Sequence, residues 1–250
     1  MDSYELLNTD CMDYMSKQPD KSFDIAIVDP PYFSGPEKRE YYGTEISRIG
    51  VNRRSYNVHD SWSVPGNDFF EELIRVSKHQ IIFGINYYDI KNLGPGRIVW
   101  DKCNGSSTFS DCEIAYCSFH DSVRLFSYMW NGMMQGVSAT NGRVVQGDKS
   151  LNEIRIHPTQ KPVILYQWLF DKYVAAGSRV LDTHLGSGSS AIAARLSGLS
   201  FVGCELSSIR FQEMIARYNK AFEMPILDPA SLQNRGYEQI PLVPLSSEAA

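Results

Sequence analysis

FDIAIVDPPYFSG, residues 23–35, sets five apolar side chains in six positions and then stops at an acid, two prolines and a tyrosine. A short, unbroken run rich in β-branched residues reads as a strand buried on both faces, the habit of parallel sheets. Neither Pro30 nor Pro31 has an N–H for a sheet ladder, so the strand ends there. Asp29 and Tyr32 are thereby carried on a stiff turn at the carboxyl end of a buried strand. That is the end at which open α/β sheets bind ligands.

The rest of the chain is consistent with such a sheet. Its 250 residues, 43% of them hydrophobic, suffice for one large domain or one domain with an insertion. No apolar run approaches the ~20 residues of a membrane span. The opening MDSYELLNTD has neither the basic nor the apolar segment of a secretory signal, so a cytoplasmic protein is expected. Five cysteines without a CxxC pair point to reduced thiols, and no metal site is expected. The net charge of −5 conceals a local excess of the opposite sign. From Arg124 to Lys161 five basic side chains face two acidic ones.

Along the chain, residues 33–65 form a polar, aromatic stretch too long for a tight connection, which marks a functional loop. Asp68 and Glu71 have the spacing of a capping box for a helix reaching about Ser77. HQIIFG, RIVWD and EIAYCSF follow as strand candidates. Residues 121–155 lose periodicity, gather glycines and read as an irregular insertion. Then HPTQKPVILYQWLFDKYV announces a helix with Ile164, Leu165, Trp168 and Leu169 on one face. The order strand, glycine turn, helix, strand, acid is clean from SRVLD through THLGSGS and SAIAARLSG to SFVGCE, and a further helix runs from about Ser207 towards Ala221. The expected division is 1–120, 121–155, 156–222 and a tail, 223–250.

Gly186, Gly188 and Ala191 satisfy G-x-G-x-x-G/A, with Glu205 near the required distance downstream. Physically this means a ligand close to the backbone at a helix N-terminus and an acid able to accept ribose hydroxyls. NAD and S-adenosylmethionine both meet that description. A P-loop does not, since no Lys-Ser or Lys-Thr follows the glycines.

Taken in order, NTDCMDYM, FDIAIVDPPY, HPTQKP, VLDTHLGSGSS and FVGCE resemble the amino-group DNA methyltransferases in the β-class arrangement, with the catalytic strand ahead of the cofactor loop. The resemblance spans roughly residues 8–220. It implies a Rossmann-like S-adenosylmethionine-dependent methyltransferase fold: α/β, a mostly parallel seven-stranded sheet, permuted motif order and a small target-recognition insertion. It also implies Asp10 and Cys11 against the cofactor's adenine, Asp182, Gly186 and Gly188 against its methionine portion and Glu205 against its ribose. Thr159, Gln160 and Lys161 would close the pocket, and Asp29, His184 and Ser187 border it. Thr183-His184 stands where the family more often has Pro-Phe.

On this reading residues 1–120 form the target-base half, 156–222 the cofactor half and 121–155 the recognition insertion. Asp29 and the Pro30 carbonyl would accept the two N–H bonds of an exocyclic base amine, freeing its lone pair and stabilising the charge that grows on nitrogen. Pro30 and Pro31 hold that carbonyl, and Tyr32 would stack on a base flipped out of duplex DNA. Arg53, Arg54, Arg143 and Lys149 are candidate DNA contacts. A ring-carbon methyltransferase needs a cysteine nucleophile, typically in a Pro-Cys pair within that family, and no proline of this chain precedes a cysteine. Asp at position 29 resembles the adenine subgroup, so N6-adenine methylation of double-stranded DNA is expected. N4-cytosine methylation, or amide methylation of RNA or protein, stands as the alternative, and a non-catalytic NAD-binding regulator as a third. The short insertion suits a short target or a homodimer, and no nuclease partner is evident.

Overall fold

A computed structural model describes residues 4–33, 62–103, 110–131, 134–136, 152–156 and 159–223. The strand read from the opening motif is β2, Phe23–Val28. It is flanked in space by β9, Arg179–Asp182, and β3, Ser77–Phe83, both parallel to it. Next to β9 lie β10, Ser200–Glu205, and then β1, Tyr4–Asn8, also parallel. On the other side β5, Cys112–Cys117, runs antiparallel to β3 and to β4, Arg97–Asp101. With β6, Val123–Ser127, at the far edge, the sheet order is β1-β10-β9-β2-β3-β5-β4-β6.

The unbroken apolar run of β2 now has its reason. Ile25 and Ile27 pack into one core with α3, Val163–Tyr173, and α4, Ser189–Leu196, while Ala26 and Val28 point into a second core with α2, Asn67–Val76. All four are buried. Full burial of such an aliphatic side chain contributes about 1.5–3 kcal/mol, so neither face of the strand tolerates a polar residue cheaply. The remaining helices are α1, Cys11–Met15, and α5, Ser208–Glu223.

Three local expectations change. The sheet has eight strands where seven were expected, and the additional one, β6, Val123–Ser127, comes from the stretch read as irregular. It pairs in parallel with β4 along the edge and leaves Val123 64% and Leu125 63% exposed, so no clean burial alternation marks it. A small hairpin, β7 (Met129–Asn131) and β8 (Met134–Gly136), follows. Helix α2 has no capping box: Gly66 is its N-cap, without a side-chain hydrogen bond, and Asp68 lies inside the first turn, where it meets the positive end of the helix dipole. Among the described residues no helix is long and apolar enough to cross a membrane, and no group of three or more His, Cys, Asp or Glu could hold a metal ion.

Candidate active site

Chain order runs outward from β2 to β3 on one side and from β9 to β10 on the other. The strand order therefore reverses between β9 and β2, and the crevice beyond their carboxyl ends is where a doubly wound sheet takes its ligand. Asp29 follows β2 directly, and Asp182 closes β9.

Asp29 is tied at both oxygens. The Tyr32 hydroxyl donates to Oδ1 at 2.6 Å, and the Lys161 ammonium lies 2.5 Å from Oδ2. The same ammonium donates to the Tyr32 oxygen at 3.0 Å and sits 2.9 Å from Glu113 Oε2. Lys102 covers the other Glu113 oxygen at 2.5 Å. Two carboxylates and two ammonium groups thus share one site around a phenol, with the Lys161 side chain only 3% exposed. Burial pushes the Asp29 carboxyl above its ordinary range, with Lys161 opposing. Burial also works against charge on Glu113, but Lys161 and Lys102 outweigh it and hold that acid at about 2.

The turn itself is braced by aromatic side chains. Tyr88 donates to the carbonyls of Pro30 at 2.8 Å and Pro31 at 2.9 Å. Tyr87 lies parallel to Tyr32, with ring centroids 4.9 Å apart, and is half exposed. Gly84, the residue after β3, has φ +68 and lies against the Tyr32 ring, which any Cβ there would overlap. Only glycine satisfies both the left-handed backbone and the close approach.

On the β9 side, Asp182 accepts from the His184 backbone N–H at 2.9 Å and from the Ser190 hydroxyl at 2.5 Å, and burial raises it to about 7. Glu205, at the end of β10, accepts from the Gly186 N–H at 2.9 Å and from the Ser207 N–H at 3.0 Å. Gly188 starts α4 at φ +75, with Met214 filling the space a Cβ would need. Asp10 caps α1 by accepting from the Met12 N–H at 2.7 Å. Beside it, burial lifts the Cys11 thiol to about 12 and keeps it protonated. His184 is partly buried, held to about 4 by desolvation, with Nδ1 2.9 Å from the Thr183 hydroxyl and its ring edge-on to Phe69. It is a neutral, packed group.

Gln160 and Lys161 tie the Asp29 turn to α4 and to the segment around Glu153. The Lys161 carbonyl accepts from the Ser189 hydroxyl at 2.6 Å while its side chain reaches Asp29. Gln160 donates to Glu153 at 2.9 Å and accepts from the Trp130 indole through its carbonyl at 2.6 Å. Arg217 of α5 pairs with Glu153 and donates to the Ser187 carbonyl at 2.5 Å. Thr159 is exposed. The structure thus brings together Asp29, Tyr32 and Lys161 on one side and Asp182, Gly186, Ser187 and Glu205 on the other. Arg53, Arg54, Arg143 and Lys149 lie outside the described residues, as does His157-Pro158. Sequence reasoning missed Glu113, Lys102, Tyr88 and Arg217. Only Glu113, an acid at the head of an apolar strand, left a mark that a reading of burial could have flagged.

A doubly wound sheet with an acid-flanked glycine loop on one side of its switch point and an Asp-Pro-Pro-Tyr turn on the other is the architecture of a Rossmann-like methyltransferase. Residues 118–216 match the N6/N4 family described as DNA methylase. The type II methyltransferase M2.MboI of Moraxella bovis is 24% identical over 90% of this chain and 93% of its own. M2.DpnII of Streptococcus pneumoniae is 22% identical over 80% and 84%. In structure, M1.HpyAVI solved with S-adenosylmethionine superposes with a TM-score of 0.50 at 16% identity, over 85% of this chain and 98% of that one. Over most of its length the chain is thus similar to type II DNA methyltransferases, and the DNA methylase family model is matched over its second half.

Proposed function

We propose that this protein transfers a methyl group from S-adenosylmethionine to the N6 amino group of adenine in double-stranded DNA. The observation that carries the reading is the Asp-Pro-Pro-Tyr turn at the switch point, one strand away from the glycine loop. The residues present fit the cofactor. Asp182, Glu205 and Asp10 stand at the ends of three neighbouring strands, β9, β10 and β1. They suit a ligand that has an ammonium group, a ribose diol and an adenine. Gly186, where a Cβ would meet nothing nearer than the His184 carbonyl at 3.9 Å, leaves its path along the backbone clear. S-adenosylmethionine, when bound there, supplies an electrophilic methyl on a sulfonium.

The protein's own part is positioning and electrostatics. Asp29 accepts one N–H of the target amine and stabilises positive charge on its nitrogen. The Pro30 carbonyl, with one lone pair engaged by Tyr88, has a second for the other N–H. Tyr32 and Tyr87 offer stacked rings for a base taken out of the duplex. Segment 121–155 and the loop 33–65 supply the DNA contacts, with Arg143, Lys149, Arg53 and Arg54 on phosphates or base edges. A recognition segment this short suits a short target, or a dimer sharing the work.

The test is methyl transfer from labelled S-adenosylmethionine to unmethylated duplex DNA, followed by digestion and separation of the nucleosides. N6-methyladenine is expected. Label in N4-methylcytosine would move the assignment to the other branch of the family. Label reaching RNA or protein but not DNA would overturn it.

A further inference from the structure

We propose that Glu113 is a positioning residue for this reaction: it takes up the Lys161 ammonium when the substrate amine takes that ammonium's place on Asp29. The inference rests on the methyltransferase reading above and adds a residue that no motif in the chain points to.

Both Asp29 oxygens are engaged, one by the Tyr32 hydroxyl and one by Lys161. Each oxygen keeps a further lone pair, but the ammonium 2.5 Å from Oδ2 draws on the same negative charge the amine would use, so Asp29 becomes a full-strength acceptor for the amine only as Lys161 withdraws. All three N–H bonds of the Lys161 ammonium are in turn accounted for, by Asp29, Glu113 and Tyr32, at 2.5, 2.9 and 3.0 Å. With its side chain 3% exposed, the ammonium has no route to water, and leaving a buried charge unpaired is strongly unfavourable. Glu113 removes that obstacle. It already contacts Lys161, so the ammonium can release Asp29 while keeping its counter-charge. Lys102 on the far oxygen keeps Glu113 ionised and ready to receive it. The four charges balance before and after the exchange, and Asp29 is left with a free oxygen facing the crevice. A purely structural acid would need no second cation and no contact with the catalytic carboxylate's own partner.

The exchange is tested by single-turnover methyl transfer from S-adenosylmethionine to unmethylated duplex DNA by the wild type, Glu113→Gln, Lys161→Met and the double variant. Cofactor affinity and melting temperature are measured on each. Glu113→Gln should bind S-adenosylmethionine as the wild type does, yet lose about 100-fold in rate. The double variant should be no slower than Lys161→Met alone, because Glu113 acts through that ammonium and the losses do not multiply. Glu113→Asp, shorter but still charged, should recover part of the rate and guards against a glutamine variant that fails to fold. Glu113→Gln within twofold of the wild type, or losses that multiply in the double variant, would sink the proposal. Absence of transfer to DNA by the wild type would instead refute the reading of function on which it stands.

Discussion

The Tyr88 hydroxyl lies 2.8 Å from the carbonyl oxygen of Pro30 and so engages one lone pair of the very group assigned to receive the substrate amine. A side chain fifty-eight positions along the chain thus holds the angle at which that carbonyl meets its ligand. Tyr88→Phe should lower the single-turnover rate about tenfold, leave S-adenosylmethionine affinity unchanged and cost about 1 kcal/mol of stability. Calorimetry and a denaturant titration beside the transfer assay separate these effects. A rate equal to the wild type would mean that the prolines alone hold the turn.

On the proposed mechanism the Asp29 carboxylate acts on the amine in the transition state, so Asp29→Ala should cut transfer by about 100-fold or more. Its loss leaves Lys161 with Glu113. Cofactor affinity should therefore stay within a few-fold. Residual turnover near the wild-type level would assign the chemistry to another group.

Glu205→Ala should behave in the opposite way. Besides any contact with ribose, this carboxylate pins the Gly186 N–H and the Ser207 N–H at the mouth of the glycine loop. Hydrogen bonds to a charged group contribute about 1.5–3 kcal/mol, so cofactor binding should weaken roughly 10- to 100-fold. Titration calorimetry reads this directly, and an unchanged dissociation constant would move the ribose contact elsewhere.

Asp182 makes stability depend on pH. Its value in the fold is raised to about 7 by burial, above the ordinary aspartate range. The folded state therefore binds the proton more tightly than the unfolded chain does. Its contribution to stability is complete at about pH 4 and is lost as pH rises through about 7, by at most about 4 kcal/mol. Thermal melts of the protein without cofactor should fall across that window, and Asp182→Asn should flatten the slope. The charged form is the one that attracts a cofactor ammonium, so S-adenosylmethionine should bind more tightly at pH 8 than at pH 6. A cofactor affinity that falls over that range would place the ammonium away from Asp182.

What the sequence determined by itself is local. The buried strand Phe23–Val28 and its stop at Pro30 follow from apolar density and from two missing N–H groups. The glycine turn between β9 and α4 follows from residues adjacent in the chain, as does the acid that ends β10. These features need no knowledge of what packs against them. The edge strand β6 does need it, because its pairing with β4 gives it a place in the sheet that VRLFS alone does not announce. The capping box at Asp68 failed for the same reason: spacing alone does not say where a helix begins, and Gly66 starts this one earlier. The site is the clearest case. Lys161, read from its motif as part of a cofactor pocket, sends its ammonium to Tyr32, 129 positions away, and to Asp29 and Glu113. Four charges balance there only because three separate strand ends and one loop converge. Charge neutrality in a buried site is a property of neighbours in space, and only the tertiary structure decides who they are.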